Sequence, residues 1–444
     1  MSFPPYPKYK DSGVEWIGEV PSGWDVVRLG SLFREAIEEG EDDLPVLSVS
    51  IHDGVSDREL SDSEMDRKVT RSEDRSKYKK VNPGDLVYNM MRAWQGGFGT
   101  VSVFGMVSPA YVVARPKDGF RTEFVELALR TPHAVEEMRR HSKGVTDFRL
   151  RLYWDEFKQI RVAIPPAKDF AAIFSFLEGE TSKIDALIAE QERLIALLKE
   201  KRQAAISRAV TKGMNFTVPM KNSGVEWLGA VPAHWSVCAL NYRYEVALGK
   251  MLDEKKISGD FLAPYLRNVD VQWDRVNTTD LPKMDFSGDD LLRYSLRPGD
   301  LLVCEGGEVG RAAVWDGQLD TCFYQKAIHR VRSRFEGRDS VRFLFYILVW
   351  ATGLGIFAGT EGRSTISHLT AESFRRYRFA FPPIKEQLAI VAFLESEATK
   401  FDTLTAEAES SVAFLKERRA TLIAAAVTGK IDVRAIAQTV RKAA

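Results

Sequence analysis

Four short segments of this 444-residue chain carry residue types that could do chemistry. Segments 163–166 (AIPP) and 380–383 (AFPP) contain the paired prolines with which amino-methyltransferases hold a target amine, but neither has the preceding Asp or Asn that this chemistry needs. Asp85 and Asp300 each follow Pro-Gly, and neither continues into the Glu-x-Lys sequence that a metal-dependent nuclease usually requires. We therefore interpret the prolines as helix starts and expect no catalytic residue on this chain.

Nucleotide and metal sites are also missing from the sequence. No G-x-x-x-x-G-K-[ST] loop is present, and residues 306–310 form a Gly-rich turn without dinucleotide-binding spacing. Cys238, Cys304 and Cys322 lack C-x-x-C spacing, and the six histidines are scattered, so we expect neither a disulfide framework nor a metal site. We predict a chain without a cofactor of its own, in a reducing cytoplasm.

The composition limits the kind of partner that the chain can bind alone. Its 62 Lys and Arg residues equal its 62 Asp and Glu residues, so the formal net charge is zero. A simple nucleic-acid binder is usually strongly basic, so any DNA surface must be a local patch. The N-terminus lacks the apolar stretch of a signal peptide, and the longest apolar run, from Phe343, is shorter than the ~20 residues of a membrane span.

An internal repeat organises the sequence. Residues 10–26 (KDSGVEWIGEVPSGWDV) and 221–237 (KNSGVEWLGAVPAHWSV) are identical at 11 of 17 positions. The paired prolines and the segments that follow them also recur, 217 residues apart, whereas residues 27–160 and 238–377 resemble each other only faintly. The alternation indicates matched segments that meet the same partner twice and variable modules that bind different targets.

The segment after each proline pair has the apolar spacing of a coiled coil, in steps of seven, three and four residues. The predicted seam residues are Leu177, Ile184, Leu187, Leu194 and Leu198 in the first segment, and Leu394, Phe401, Leu404, Leu415 and Leu422 in the second. A continuous helix over residues 169–211 would be about 64 Å long at ~1.5 Å per residue. We expect the two seams to bury each other in an antiparallel pair; alternatively, each packs on its own globular domain.

Taken together, these motifs are similar to those of the specificity (S) subunit of Type I restriction-modification enzymes. The duplicated V-E-W-[IL]-G-x-V-P-x-x-W segment at residues 14–24 and 225–235 and the FPPIKEQ helix start at 381–387 carry the resemblance. Segment 89–97 (NMMRAWQGG), followed by 107–111 (VSPAY), is similar to one class of target recognition domain in that family.

A second class of target recognition domain is similar to segment 298–302 (PGDLL) together with Gly310-Arg311. One departure from the family pattern is the first helix start, 165–170 (PPAKDF), which lacks the Glu-Gln pair of the second. That difference argues against equal partner contacts at the two helix starts.

The resemblance implies an α+β fold, with two mixed α/β target recognition domains in pseudo-twofold tandem repeat, separated by two long antiparallel coiled-coil helices. The predicted boundaries are an N-terminal segment (1–22), recognition domain 1 (23–165), a central spacer helix (166–213), a linker with the repeated segment (214–233), recognition domain 2 (234–382), a C-terminal spacer helix (383–432) and a tail (433–444).

By the same resemblance, this chain supplies DNA recognition and its partners supply the chemistry. Two copies of a modification subunit would methylate adenine with S-adenosylmethionine, and a restriction subunit would translocate and cleave DNA with ATP and Mg²⁺. Unlike recognition modules on a rigid spacer predict an asymmetric two-part target with a spacer of fixed length. Two alternatives stay open: a scaffold that dimerises partner enzymes without reading DNA, and an enzyme in its own right.

Direct readout of DNA uses polar and charged side chains that reach base edges, and we expect them on loops. The candidates in domain 1 are Asn89, Arg92, Trp94, Gln95, Lys143, Arg149 and Arg151; those in domain 2 are Lys250, Arg267, Glu305, Glu308, Arg311, Arg363, Ser364, Thr365 and His368. For the arginines, solvent exposure or phosphate contact is the alternative, and for Trp94 it is core packing. The helix segments and the segments at Val14 and Val225 are the predicted docking regions for partner proteins.

Overall fold

The fold is described from a computed structural model, and the described residues are 3–51, 54–60, 75–117, 120–144, 150–251, 258–357 and 368–434. Contacts divide the chain into two units. Unit 1 is Met1–Glu190 with Ser411–Ala444, and unit 2 is Gln191–Ser410. Each unit thus contains one variable block, one copy of the repeated segment and part of both long helices.

Unit 1 is built on a four-stranded antiparallel sheet. Its described strands are β1 (Tyr9–Asp11), β2 (Glu19–Pro21), β3 (Asp25–Arg28), β4 (Phe33–Glu35), β5 (Leu47–Ser50), β6 (Gly54–Glu59), β7 (Lys79–Val81), β8 (Leu86–Asn89), β9 (Phe98–Thr100), β10 (Gly105–Val107), β11 (Tyr111–Pro116) and β12 (Arg161–Ile164). Its helices are α1 (Leu29–Leu32), α2 (Thr122–Leu129), α3 (Pro132–Arg140), α4 (Trp154–Phe157) and the first part of α5 (Ala167–Lys212). The central sheet has the order β4-β11-β8-β9, and β3 pairs with β12 beside it.

Unit 2 repeats this architecture. Its described strands are β13 (Met220–Asn222), β14 (Ala230–Pro232), β15 (Ser236–Ala239), β16 (Tyr244–Leu248), β17 (Leu262–Leu266), β18 (Val271–Gln272), β19 (Arg275–Val276), β20 (Lys283–Asp285), β21 (Leu301–Cys304), β22 (Ala312–Val314), β23 (Phe323–Tyr324), β24 (Ile328–Ser333) and β25 (Arg378–Phe381). Its helices are α6 (Asp290–Arg293), α7 (Val341–Gly353), α8 (Ala371–Arg376) and the first part of α9 (Ile384–Val427). The central sheet has the equivalent order β16-β24-β21-β22, and β15 pairs with β25.

Both central sheets are buried on two faces, which explains their continuous apolar runs. Successive side chains of a strand point to opposite faces. In β8, Leu86 and Tyr88 therefore join the core under α2, whereas Val87 joins a second core with β5 and β10. In β21, Leu301 and Leu302 divide in the same way between two cores. A strand covered on both sides needs apolar residues at every position.

The Pro-Gly-Asp segments serve this sheet rather than a reaction. Asp85 accepts a hydrogen bond from the amide of Asn82 at 2.9 Å and pairs with Arg115 of β11 at 3.0 Å. The equivalent Asp300 accepts from the amide of Arg297 and pairs with Arg332 of β24. Both carboxylates are buried, so each needs such a partner to remain charged. Each carboxylate closes the turn that precedes β8 or β21, the strand next to the edge of its sheet.

The repeated segment packs alike in the two units. The buried indole of Trp24 contacts Phe124 of α2 with ring centroids 6.0 Å apart, and Trp235 contacts Phe343 of α7 at 6.4 Å. Both pairs meet edge to face, an arrangement that aromatic rings favour. The two phenylalanines are therefore equivalent, and they align the rest of the two variable blocks.

The two helix starts differ in the way that their sequences suggest. In unit 2, Glu386 accepts a hydrogen bond from the indole of Trp235 at 3.1 Å, and the fully buried Gln387 bonds to Asp339 and to the amide of Ser340. Gln387 thus serves the fold of unit 2. In unit 1, Phe170 occupies the position of Gln387 and packs edge to face on Phe120 and Phe124 of its own unit.

Helix α5 spans 46 residues, about 69 Å at ~1.5 Å per residue. Buried seam residues in unit 1 are Leu177, Ile184, Ile188 and Leu422, and in unit 2 they are Leu198 and Leu394. Phe401 and Leu415 are half-buried. The predicted seam is wrong at Leu187, Leu194 and Leu404, which are 53%, 41% and 47% exposed.

The correction has a simple geometric cause. The covered positions of α5 alternate in steps of four and three, through residues 184, 188, 191, 195, 198 and 202. A neighbouring position lies about 100° further round a helix of 3.6 residues per turn. Leu187 and Leu194 are therefore displaced from the seam by one position each, and Ile188 and Ile195 take their place.

Two equivalent ion pairs show the antiparallel direction of the helices. In unit 1, Arg419 of α9 donates to Asp185 of α5 at 2.8 Å, and in unit 2, Arg202 of α5 donates to Asp402 of α9 at 2.5 Å. Asp185 and Asp402 are repeat equivalents, as are Arg202 and Arg419, 217 residues apart. The predicted fold class, including the antiparallel helix pair, is confirmed.

Candidate nucleic-acid interface

Many of the predicted base-reading residues lie on one equivalent connection in the two units. In unit 1 it joins β8 to β9 over residues 90–97, here called turn 1; in unit 2 it joins β21 to β22 over residues 305–311, here called turn 2. Both turns leave the carboxyl end of the strand next to the sheet edge. The repeat thus presents two different sequences from the same place in the fold.

Turn 1 is closed by its own backbone. A 3-10 helix spans Ala93–Gln95, and the side chain of Asn89 accepts a hydrogen bond from the amide of Met91 at 2.9 Å. A side chain at Gly97 would come within 2.9 Å of the carbonyl oxygen of Arg92, so glycine is required there. Asn89 is thus used to shape the turn. Arg92 is half-buried and Gln95 is exposed, and neither side chain has a hydrogen-bond partner among the described residues.

Trp94 has a packing role in turn 1. Its indole N–H donates to the carbonyl oxygen of Met91 at 3.2 Å, and the guanidinium of Arg139 lies 5.9 Å from its ring centroid. The ring also packs against the core under the central sheet. Contact with bases would have to involve the remaining exposed part of the ring.

A second segment of unit 1 lies beside turn 1. The backbones of Lys143 and Arg151 exchange two hydrogen bonds at 2.9 and 3.0 Å, and the amide of Leu152 donates to the carbonyl oxygen of Met90 at 2.8 Å. These bonds bring Lys143 and Arg151 to the candidate site. The amine of Lys143 forms an ion pair with Glu156, whereas Arg151 is exposed. Arg149 lies outside the described residues.

Turn 2 is tied to its unit by an equivalent bond. The amide of Leu369 donates to the carbonyl oxygen of Glu305 at 2.8 Å, just as Leu152 donates to Met90. The ring of His368 lies close to Gly306, where a Cβ would be 3.2 Å from Nδ1. Glu305 and His368 therefore lie together. Arg363, Ser364 and Thr365 come shortly before His368 in the sequence and lie outside the described residues.

Arg311 and Glu308 are used inside unit 2. Arg311 donates to the carbonyl oxygen of Asn268 at 3.0 Å and to its side-chain oxygen at 2.9 Å, and the Asn268 amide donates to the carbonyl oxygen of Gly306. Glu308 accepts from the indole of Trp273 at 2.7 Å. These bonds fix the shape of turn 2. Sequence reasoning missed Asn268, because nothing in its local sequence indicates a partner 43 residues away.

Lys250 and Arg267 are also occupied by neighbours. The Lys250 amine donates to Asp290 at 2.6 Å and lies 4.9 Å from the ring centroid of Phe286. Arg267 forms a two-pronged contact with Asp270, at 2.9 and 2.8 Å. A guanidinium held in this way needs to exchange partners before it can bind a base.

The side chains that remain available differ between the two sites. Unit 1 offers Arg92, Gln95 and Arg151, which are donors, whereas unit 2 offers the carboxylate of Glu305 and the ring of His368. Lys326, exposed between β23 and β24, also lies near turn 2, because the amide of Glu305 donates to the next residue, Ala327. It was not among the predicted residues, since a single surface lysine gives no pattern.

The titratable groups behind turn 2 are neutral. His329 is buried and its Nε2 lies 2.6 Å from the carbonyl oxygen of Leu369. Burial lowers its pKa to about 4, so Nε2 carries the single proton and donates it to Leu369. Burial also raises the pKa of the Cys304 thiol, and it raises that of Cys322 to about 12. Neither thiol is therefore activated as a nucleophile.

The described ranges contain no cluster of three or more His, Cys, Asp or Glu side chains that could hold a metal ion. No helix within them has the length and apolar character needed to span a membrane.

Comparison with known proteins points to one family. Residues 253–410 match the family model described as the Type I restriction modification DNA specificity domain. The chain is 23% identical over 287 residues to the Type I restriction enzyme EcoKI specificity subunit of Escherichia coli (strain K12). That alignment covers 63% of this chain and 59% of the relative, so the chain spans less than two thirds of the curated relative it matches.

Two solved structures share the fold. A chain from a study of complex assembly and conformational transition in the type I R-M system superposes with a TM-score of 0.68 at 17% identity, covering 92% of this chain and 98% of the other. The HsdS subunit from Thermoanaerobacter tengcongensis superposes with a TM-score of 0.52 at 16% identity, covering 93% and 98%. With the domain match, these likenesses confirm the predicted resemblance to Type I specificity subunits.

Proposed function

We propose that this chain is the DNA-reading subunit of a Type I restriction-modification complex and carries no catalytic group itself. One observation supports this most strongly: turn 1 and turn 2 have equivalent main-chain anchors but unlike side chains. Two turns that are held by equivalent main-chain bonds but carry different side chains are suited to two different half-targets. We therefore propose an asymmetric, two-part target, with each unit reading one half.

The free side chains suggest what each unit reads. An arginine binds guanine O6 and N7 through two donors, and a glutamine binds adenine N6 and N7. Arg92 and Gln95 of turn 1 are suited to purines in this way. In turn 2, Glu305 is suited to accept from the exocyclic amine of cytosine, since a carboxylate near DNA is tolerated where it meets such a donor.

The long helices suggest how a fixed gap between the half-targets arises. A helix of 46 residues held by a partner helix is stiff, so its length sets a distance rather than a range. We propose that α5 and α9 act as this spacer. Matched heptad insertions before Gln191 and Ala408 should lengthen the unspecified gap, whereas an unchanged gap would contradict the spacer role.

The chemistry of such a complex belongs to partner chains. We propose two copies of a methyltransferase subunit, which use S-adenosylmethionine, and a restriction subunit, which uses ATP and Mg²⁺, in the cytoplasm. This chain has zero net charge, so it can neutralise few phosphates and should bind DNA weakly alone. Partners would supply the missing positive surface.

The test is genome-wide mapping of methylated adenines in cells that carry single variants. Arg92→Ala and Glu305→Gln should each relax one base position in one half-target, by roughly tenfold or more, since a good base contact contributes ~1–3 kcal/mol. Arg28→Ala, on the exposed end of β3, is the matched control and should leave the target unchanged. Uniform loss at all sites would mean phosphate contacts instead, and an unchanged target in both variants would contradict the readout.

A scaffold that joins partner enzymes without reading DNA is the second candidate, because the zero net charge favours it. A gel-shift assay with the methyltransferase complex separates the two. A scaffold would show equal affinity for all DNA sequences, whereas a reading subunit prefers its target by a large factor.

A further inference from the structure

The repeated segment allows one part of the fold to be compared with itself. Residues 10–26 and 221–237 differ at six positions, and five of these are exposed in both copies. The five are 11 and 222, 19 and 230, 22 and 233, 23 and 234, and 25 and 236. Of the nine positions that are exposed in both copies, five have therefore diverged, and four (Lys10, Gly13, Glu15 and Gly18, with their equivalents) have not.

Most identities in the segment have a reason in the fold. Val20 and Trp24, with their equivalents, are buried. The hydroxyl of Ser12 accepts a hydrogen bond from the amide of Val14 at 3.1 Å, and Ser223 does the same for Val225. The glycines adopt positive φ angles between 64° and 67° in both copies, a conformation that other residues rarely adopt. Lys221 donates to the carbonyl oxygen of Ala233 at 2.8 Å.

One identical pair lacks such a reason in either copy. Glu15 is 92% exposed, and its nearest cation, the guanidinium of Arg140, is 4.0 Å away. Glu226 is exposed too, and neither glutamate makes a side-chain hydrogen bond within the part of the chain that the structure describes. The glutamate is thus identical where its exposed neighbours differ, and the fold does not account for it.

The surroundings of Glu226 are suited to a protein contact. It lines a shallow depression of about 520 Å³ together with Val225, Met220 and Ala230. Gly224 and Gly229 border it with open space in front of their Cα atoms, so a second chain can approach the backbone closely. Lys221 and Asn222 line the depression as well, so it combines polar and apolar surface. The apolar stem of a long side chain can lie on it while the charged end meets the carboxylate.

We infer that Glu15 and Glu226 each bind a lysine or arginine of a partner protein that docks on this chain twice. The inference rests on the proposed function, because it assigns the docking contact of the methyltransferase subunit. Two identical acidic side chains at equivalent positions of the repeat are suited to two identical basic ones, which two copies of one partner provide. Ion pairs at the rim of an interface select the partner and its orientation.

The test uses the full-length chain, the purified methyltransferase subunit and native mass spectrometry without DNA. The wild-type chain should bind two copies, Glu15→Arg and Glu226→Arg should each bind one, and the double variant should bind neither at the same concentration. We expect each reversal to weaken its site about tenfold or more, because like charges then meet. Asp25→Arg is the matched control: Asp25 is exposed on the same segment, its repeat equivalent is Ser236, and neither of them lines the depression, so the variant should still bind two copies.

The outcomes separate the inference from the proposed function. A wild-type chain that binds no methyltransferase subunit would overturn both. If the wild type and the double variant both bind two copies with the same affinity, the inference alone is overturned. Loss of one copy with Asp25→Arg as well would assign the effect to general surface charge and also overturn it. Circular dichroism of each variant checks that the fold is retained.

Discussion

Gln387 offers a sharp test of how polar contacts stabilise unit 2. Its side-chain oxygen accepts from the amide of Ser340 at 2.8 Å, and its nitrogen donates to Asp339 at 3.1 Å and to the carbonyl oxygen of Pro382 at 2.9 Å. Asp339 in turn forms a buried ion pair with Arg243 at 2.6 Å. All of these atoms are shielded from water, so a lost partner is not replaced.

Gln387→Met keeps the volume of the side chain and removes its three hydrogen bonds. The Ser340 amide and the Pro382 oxygen then lose their partner, and each buried group left unpaired costs ~1–3 kcal/mol. We expect a loss of about 3 kcal/mol in the free energy of opening this region. Gln387→Ala should cost more, because it adds a cavity. Gln95→Met, on an exposed glutamine, is the control and should cost less than ~0.5 kcal/mol.

Native-state hydrogen exchange at the starts of α7 and α9 is the suitable measurement, because a chain with two units need not unfold in one step. A Gln387→Met variant within ~0.5 kcal/mol of the wild type would refute the reasoning. Unit 1 supplies a complementary test. There Leu32, Phe120 and Phe170 occupy the positions of Arg243, Asp339 and Gln387 and pack as an apolar group. The triple variant Arg243→Leu, Asp339→Phe, Gln387→Phe should leave the stability of unit 2 about unchanged, although each substitution alone should be destabilising.

The remaining predictions concern the helices and the pH dependence. Ile188→Ala should destabilise unit 1 by ~2–4 kcal/mol in chemical denaturation, and Leu187→Ala by less than ~1 kcal/mol, because only Ile188 lies on the seam; equal losses would contradict the seam. Asp185→Arg should lower the free energy of unfolding by ~0.2–1 kcal/mol, and adding Arg419→Asp should restore it, whereas adding Arg418→Asp should not. His329 has its pKa lowered to about 4 by burial, so the unfolded chain binds its proton first as the pH falls. Stability should therefore be complete above about pH 6.5 and decline towards pH 4, by ~1.4 kcal/mol per pH unit from this group, and His329→Gln should flatten that slope.

The repeat made the architecture predictable from the sequence. Because one segment recurs after 211 residues and the two helix segments recur after 217, the sequence predicted two like units and two long helices that pair antiparallel. The seam was harder, because covered positions include the polar Gln191 and Arg202 and the small Ala408. Leu187 and its covered neighbour Ile188 are both fully apolar, so hydrophobicity alone does not choose between them. A pattern of residue types shows the spacing of the covered positions along a helix better than it shows which positions are covered.

The candidate site was only partly predictable for a different reason. The position of turn 1 follows from the end of a strand, so Asn89, Arg92 and Gln95 could be chosen from local sequence. Whether a charged side chain is free depends on contacts that are distant along the chain, as between Lys250 and Asp290 or Glu308 and Trp273. A sequence without its fold does not show which guanidinium or carboxylate is already paired.

The main-chain bonds that hold the two turns have a consequence for substituting their side chains. The bonds from Leu152 to Met90 and from Leu369 to Glu305 join backbone to backbone, so they are indifferent to the side chain carried by the acceptor. Substituted side chains in turn 1 or turn 2 thus need no compensating mutation in the core of the unit. A library that varies residues 92, 95 and 305 should retain folded members at high frequency, so the proposed DNA readout can be tested at many substitutions in these two turns.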